Sequence, residues 1–189
     1  SAMLQTSAIA FDAFSGMPNL GSLQATLPFD GPLQVVHVAV GLDAPMDLRG
    51  KTLTAQVRLD SGLGPDASAP GGVKLYVKSG DGFILADAGW VNITPEQDWV
   101  ELTLPIDTPP GWIQPPSAAG SYDPADIRLI GISVETGATE SAAWSPATVH
   151  IDTVGIQGEL PNSKQPKPTP DARWTFDADV ENWGLGFSA

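Results

Sequence analysis

The sequence predicts an all-β protein built as a two-sheet antiparallel β-sandwich. Three observations predict it. Apolar and polar residues alternate with period two in segments of about five to nine residues, each bounded by Gly, Pro or Asp. No segment sustains an apolar stripe at helical spacing for three turns. The 20 Gly and 18 Pro are spread along all 189 residues as turn punctuation, which favours many short elements over a few long ones.

Taken in order, the first convincing strand is 34–40 (QVVHVAV), short and β-branched. Segment 52–59 (TLTAQVRL) alternates cleanly, and so does 73–78 (VKLYVK), which runs into the turn Ser79-Gly80-Asp81-Gly82. Segments 82–86, 99–106, 127–135 and 148–156 complete the set. Period two divides the faces: with Val57, Leu59, Leu75 and Val77 pointing inward, Gln56, Arg58, Lys74, Tyr76 and Lys78 point outward. Three stretches read as connections. Residues 61–72 (SGLGPDASAPGG) are rich in turn formers, and 109–124 form a long loop carrying Trp112 and Tyr122. Residues 158–170 (GELPNSKQPKPTP) read as a stiff, solvated linker.

The expected organisation is therefore a sandwich over 1–157, a proline-rich linker over 158–170, and a C-terminal strand over 171–189. Composition bounds the partners. A net charge of −13 opposes nucleic acid and anionic membrane surfaces. With no cysteine, disulfides and thiolate chemistry are excluded, and no run of about 18 apolar residues spans a membrane. Ser1-Ala2-Met3 reads as a cloning remnant, so the lack of a signal peptide says nothing about secretion.

Five stretches in a fixed order carry a resemblance: MDLRGKTLTAQVRLDSG, GVKLYVKSGDGFILADAGWVNIT, QDWVELTLPID, DPADIRLIGISVETG and TVHIDTVGI. Together they resemble the jelly-roll, galactose-binding-like carbohydrate-binding modules attached to bacterial glycan-degrading enzymes, over roughly 21–157. Such modules open with a strand of the type F-(D/E)-x-(D/G)-x-x-x-W ahead of a G-S-L strand. Here Gly21-Ser22-Leu23 supplies the second, while 9–14 match the first poorly. The good match, Phe176-Asp177-Ala178-Asp179-Val180-Glu181-Asn182-Trp183, lies at the C-terminal end. The order fits either a circularly permuted module or a piece cut from a tandem array. Either way the tail is expected to fill the vacant strand position, in its own sandwich or by strand exchange with a neighbouring copy.

The resemblance implies a structural Ca²⁺ between the opening and last strands, which maps onto Asp152, Asp177 and Asp179. It also implies a secreted or cell-surface bacterial protein whose partner is a polysaccharide or oligosaccharide. For the sugar, the outward Gln56, Arg58, Lys74 and Tyr76 are candidates, with Trp112 and Trp144 in loops and Glu135 at a strand end. Trp90, Trp99 and Trp183 are expected to pack in the core. Glu96, Asp98 and Glu101 are a carboxylate-rich patch without a cleft. His37 and His150 have no nucleophile motif, so no enzyme is expected and a polysaccharide lyase is disfavoured. The function so implied is non-catalytic carbohydrate binding that anchors a larger protein to a polysaccharide. The alternative is a structural spacer or adhesion repeat with no sugar ligand.

Overall fold

A computed structural model of the chain describes residues 8–13, 15–16, 21–61, 72–95, 97–137, 146–158, 173–174, 176 and 183–187. Eleven strands occur among them: β1 (Ala8–Asp12), β2 (Ser22–Leu27), β3 (Val35–Met46), β4 (Lys51–Ser61), β5 (Gly72–Ser79), β6 (Ile84–Asp87), β7 (Val100–Pro105), β8 (Ile127–Glu135), β9 (Ala147–Gly158), β10 (Arg173–Trp174) and β11 (Gly184–Phe187). They form a six-stranded sheet, ordered β1-β2-β9-β4-β7 with β10 also on β9, and a five-stranded sheet, ordered β11-β3-β8-β5-β6. Every strand pairing is antiparallel. The fold is thus the two-sheet β-sandwich that the alternation predicts.

The core is what the inward half of each alternating strand makes of itself. From the six-stranded sheet come Leu23, Leu53, Val57, Leu102, Leu104, Val149 and Ile151, all buried. Val38, Leu75, Val77, Ile130, Ile132 and Val134 answer from the five-stranded sheet. Burying each such side chain contributes about 1.5–3 kcal/mol, which makes this layer the main tie between the two sheets.

The C-terminal segment touches both sheets. β10 pairs with β9, Trp174 opposite Val154, and β11 pairs with β3, Leu185 opposite Val38. Between them, Phe176 and Trp183 enter the core, with ring centroids 5.8 Å apart and nearly perpendicular. A bulge lies beside this junction. Thr54 pairs with Gly155 but Gln56 pairs with Asp152, leaving one extra residue on β9. Thr153 absorbs it with φ at 49°, a left-handed conformation that is costly for a β-branched residue.

Candidate functional site

Parity identifies outward side chains, and the strand register shows which of them share a sheet. On the outer face of the five-stranded sheet, His37, Ser133 and Lys74 form one cross-strand row. Ala39, Gly131, Tyr76 and Asp87 form the next, followed by Gly41, Leu129, Lys78 and Leu85. Glu135 lies at the opposite end, facing Gly72.

Asp87 organises this face. Its carboxylate is buried and accepts three hydrogen bonds: from Lys74 Nζ at 2.7 Å, Gly89 N at 2.9 Å and Trp112 N at 3.0 Å. Its own backbone N donates to Trp112 O at 3.0 Å. Lys74 is held a second time, its Nζ lying 4.4 Å from the centroid of the Trp90 ring, a cation–π contact. With its side chain only 17% exposed, Lys74 is a fixed strut. Trp112 is anchored by its backbone, yet the residue is 53% exposed. Its loop runs along β6, with Ile113 bridged to Ala86 and Gln114 N donating to Leu85 O at 2.9 Å. Trp112 therefore stands at the β6 rim of the face.

His37 Nδ1 shares a 2.9 Å hydrogen bond with Ser133 Oγ, and its ring meets Tyr76 edge-on at 5.3 Å. Burial, and then the charges of Lys78 and Lys74, hold the His37 imidazole below its usual range. Burial pushes the Glu135 carboxyl above its usual range, against a smaller pull from Lys74.

The other outer face carries a parallel set of groups. His150 is fully buried, with Ser22 Oγ 3.0 Å from Nδ1 and Asp60 Oδ2 2.8 Å from Nε2. Asp12 Oδ2 lies 3.6 Å from Nδ1. Trp99 packs edge-on against His150 at 6.4 Å, and Arg58 lies 5.4 Å from the Trp99 ring.

The sequence-predicted sugar residues do not converge. Gln56 and Arg58 lie on β4, in the six-stranded sheet, where Gln56 Nε2 donates to Glu101 Oε2 and Arg58 pairs with Asp60. Lys74, Tyr76, Glu135 and Trp112 belong to the five-stranded side, with the sandwich thickness between the groups. Tyr76 points outward as predicted but is only 2% exposed. Its ring fills the space over Gly131, where an added Cβ would lie 2.5 Å from Tyr76 Cζ. Burial also raises its phenol above the usual range. Trp90 and Trp99 differ from expectation too: each is partly exposed and covers an outer face, while Trp183 is in the core. Trp144, Asp177 and Asp179 lie outside the described residues. Asp152 is buried on β9, its Oδ1 accepting from Thr153 N at 2.6 Å. Among the described residues, no three His, Asp or Glu side chains are placed to hold a metal ion. Asp87 was not singled out by the sequence, although its outward parity in ILAD places it on this face.

No protein-family model and no curated protein matches the sequence. Solved structures do. The chain is similar to the family 11 carbohydrate-binding module of the cellulosomal cellulase Lic26A-Cel5E of Clostridium thermocellum, at 12% identity and a TM-score of 0.51, covering 84% of this chain and 86% of that one. It is also similar to an exo-β-agarase, at 13% identity and a TM-score of 0.51, covering 85% of this chain but only 23% of the agarase chain. What these likenesses establish is the fold. The protein is a jelly-roll β-sandwich of the kind seen in carbohydrate-binding modules.

Proposed function

We propose that the protein is a non-catalytic carbohydrate-binding module, and that its ligand lies on the outer face of the five-stranded sheet. The observation that carries this reading is Trp112. A tryptophan this exposed is costly to leave in water, yet the buried Asp87 fixes its backbone at the rim of a polar face. A ring so held can stack on the apolar side of a pyranose, while Lys74, His37 and Glu135 offer hydrogen bonds to hydroxyls. The likeness to a family 11 module supports it. In this reading the module is secreted or displayed at the cell surface and anchors a larger protein to a polysaccharide. No helix among the described residues is long and apolar enough to cross a membrane.

The burial of Tyr76 favours a second reading, a spacer sandwich with no sugar ligand. Affinity electrophoresis against a panel of soluble polysaccharides separates the two. Retardation by at least one glycan, weakened about tenfold by Trp112→Ala with an unchanged melting temperature, is the expected result. No retardation on any glycan leaves the spacer.

A structural Ca²⁺ belongs to the same proposal. Trp174 pairs with Val154, two residues from the buried Asp152, and the buried Phe176 follows two residues after Trp174. Asp177 is next in sequence. Asp152 would supply one carboxylate, with Asp177 and Asp179 as its partners, and calcium would offset their mutual repulsion. Chelation by EDTA is expected to lower the melting temperature, and added Ca²⁺ to restore it. Pairing of β10 and β11 within the chain supports return of the tail to its own sandwich. Exchange with a neighbouring copy would instead give a dimer in light scattering.

A further inference from the structure

With a net charge of −13, the protein repels a polyanion wherever salt leaves its field unscreened. At physiological ionic strength that range is about 8 Å, so the side chains nearest the ligand decide the sign of the interaction. The two outer faces differ in this respect. At outward positions of the six-stranded sheet, Arg58 shares the surface with Asp12, Asp60 and Glu101. That face is acidic, like the protein as a whole.

The five-stranded face is not. Lys74 and Lys78 both project from β5, and His37 on β3 shares the cross-strand row of Lys74, two rows from Lys78. Asp87 is neutralised by Lys74 at 2.7 Å. Of the other carboxylates on this side, Glu135 pairs at the level of Gly72, three cross-strand rows from Lys78, Asp81 and Asp126 are bound by Arg128, and Asp43 lies at an outward position beyond Gly41 on β3. Lys78 has apolar cross-strand neighbours on both sides, Leu129 and Leu85. Among the described residues no carboxylate comes within ion-pairing distance of it. Lys78 is partly buried, and the acidic residues described on this side are engaged elsewhere or lie away from it.

From this placement we infer that the glycan bound on the five-stranded face is acidic, its carboxylate or sulfate ester meeting Lys78. The inference rests on the binding face proposed above and names the class of its ligand. A neutral sugar needs donors and acceptors but no net charge. An anion about 4 Å from the Lys78 ammonium gains roughly fivefold in affinity at the dielectric of water and well over tenfold at that of a protein surface. The preference is large enough to measure.

The test uses two matched pairs of glycans with the full chain: a sulfated galactan against its desulfated form, and polygalacturonate against its methyl ester. At least tenfold tighter binding of the charged member in one pair is expected, and which pair shows it identifies the anionic group. The preference should shrink on raising salt from about 50 to about 500 mM, and should collapse in Lys78→Gln. Melting of that variant checks that it is folded; Lys78→Arg, which keeps the charge, should retain the preference. Equal binding within both pairs overturns the inference while leaving the binding face intact. A preference that survives Lys78→Gln overturns it as well. Binding to none of the four glycans, or to any in the wider panel, removes the binding face itself and the inference with it.

Discussion

The two outer faces of this sandwich carry the same kit and use it differently. Each has a histidine bonded to a serine on a neighbouring strand, His150 with Ser22 and His37 with Ser133. Each has a tryptophan under a cation, Trp99 under Arg58 and Trp90 under Lys74. An aspartate accepts from that cation in both, Asp60 from Arg58 and Asp87 from Lys74. On the six-stranded side the kit is closed, with His150 buried between Asp60 and Asp12 and covered by Trp99. On the five-stranded side it stays open, with an exposed Trp112 at its rim and, among the described residues, no carboxylate paired with Lys78. Residue type alone therefore does not separate the proposed ligand face from a structural one. What separates them is whether the polar groups have already found all their partners.

That contrast can be broken at its base. Phe176 packs in the core between the strand it sends to one sheet and the strand it sends to the other. Phe176→Ala is expected to cost about 3–5 kcal/mol, read from the denaturant midpoint, and to weaken both faces together. An unchanged midpoint would show that the tail is not part of the stable sandwich.

A finer test compares the histidines. Removing His150 leaves Ser22 and Asp60 facing a buried gap, so His150→Ala should cost about 2–4 kcal/mol. His37→Ala should cost less, about 1 kcal/mol, because the ring is only partly buried and the gap it leaves over the buried Ser133 opens to water. Equal costs would erase the distinction between closed and open.

The smallest effect is pH dependence at the open face. His37 is faced by Lys74, Tyr76 and Lys78 of β5, by Ser133 and Glu135 of β8, and by Gly186 of β11. Its pKa is held below 6.5, so it gains charge only under acid conditions, while Glu135, held above 4.5, loses charge early on acidification. Both changes make the face more positive. Binding of a sulfated glycan, whose own charge does not titrate here, should thus strengthen severalfold as pH falls from 6.5 toward 4.5. The same depressed imidazole costs stability as pH falls below 6.5, because the unfolded chain then takes up the proton more readily. Binding that weakens on acidification would contradict the charge assignment.

Much of the fold was legible. β8 lies where IRLIGISVE predicts it, and the alternation in 52–59 and 73–78 names the inward residues correctly. The site was less so, for a definite reason. Parity gives a side chain's direction relative to its own strand, but says nothing of which sheet that strand joins. Gln56 and Arg58 thus shared a predicted site with Lys74 although the core divides them. Tyr76 shows the second limit. Its burial depends on the absent Cβ of Gly131, a relation between residues distant in sequence that only strand register reveals. Trp90 and Trp99 were expected in the core because they fall at strand starts, in contexts like those of the resembled modules. Each instead lies over a cation at the surface, where its ring keeps one polarisable side in use.

Whatever its part in the proposed binding, the loop bearing Trp112 also protects a sheet edge. Because Ile113 bridges Ala86 and Gln114 bonds Leu85, this stretch shields the free margin of β6 from adding a foreign strand. Engineering it for a new specificity is therefore constrained. Side chains such as Trp112 can be exchanged, but a redesigned backbone that lifts away from β6 would trade recognition for aggregation. Selection acting on this loop faces the same restriction: it can vary its letters more freely than its path.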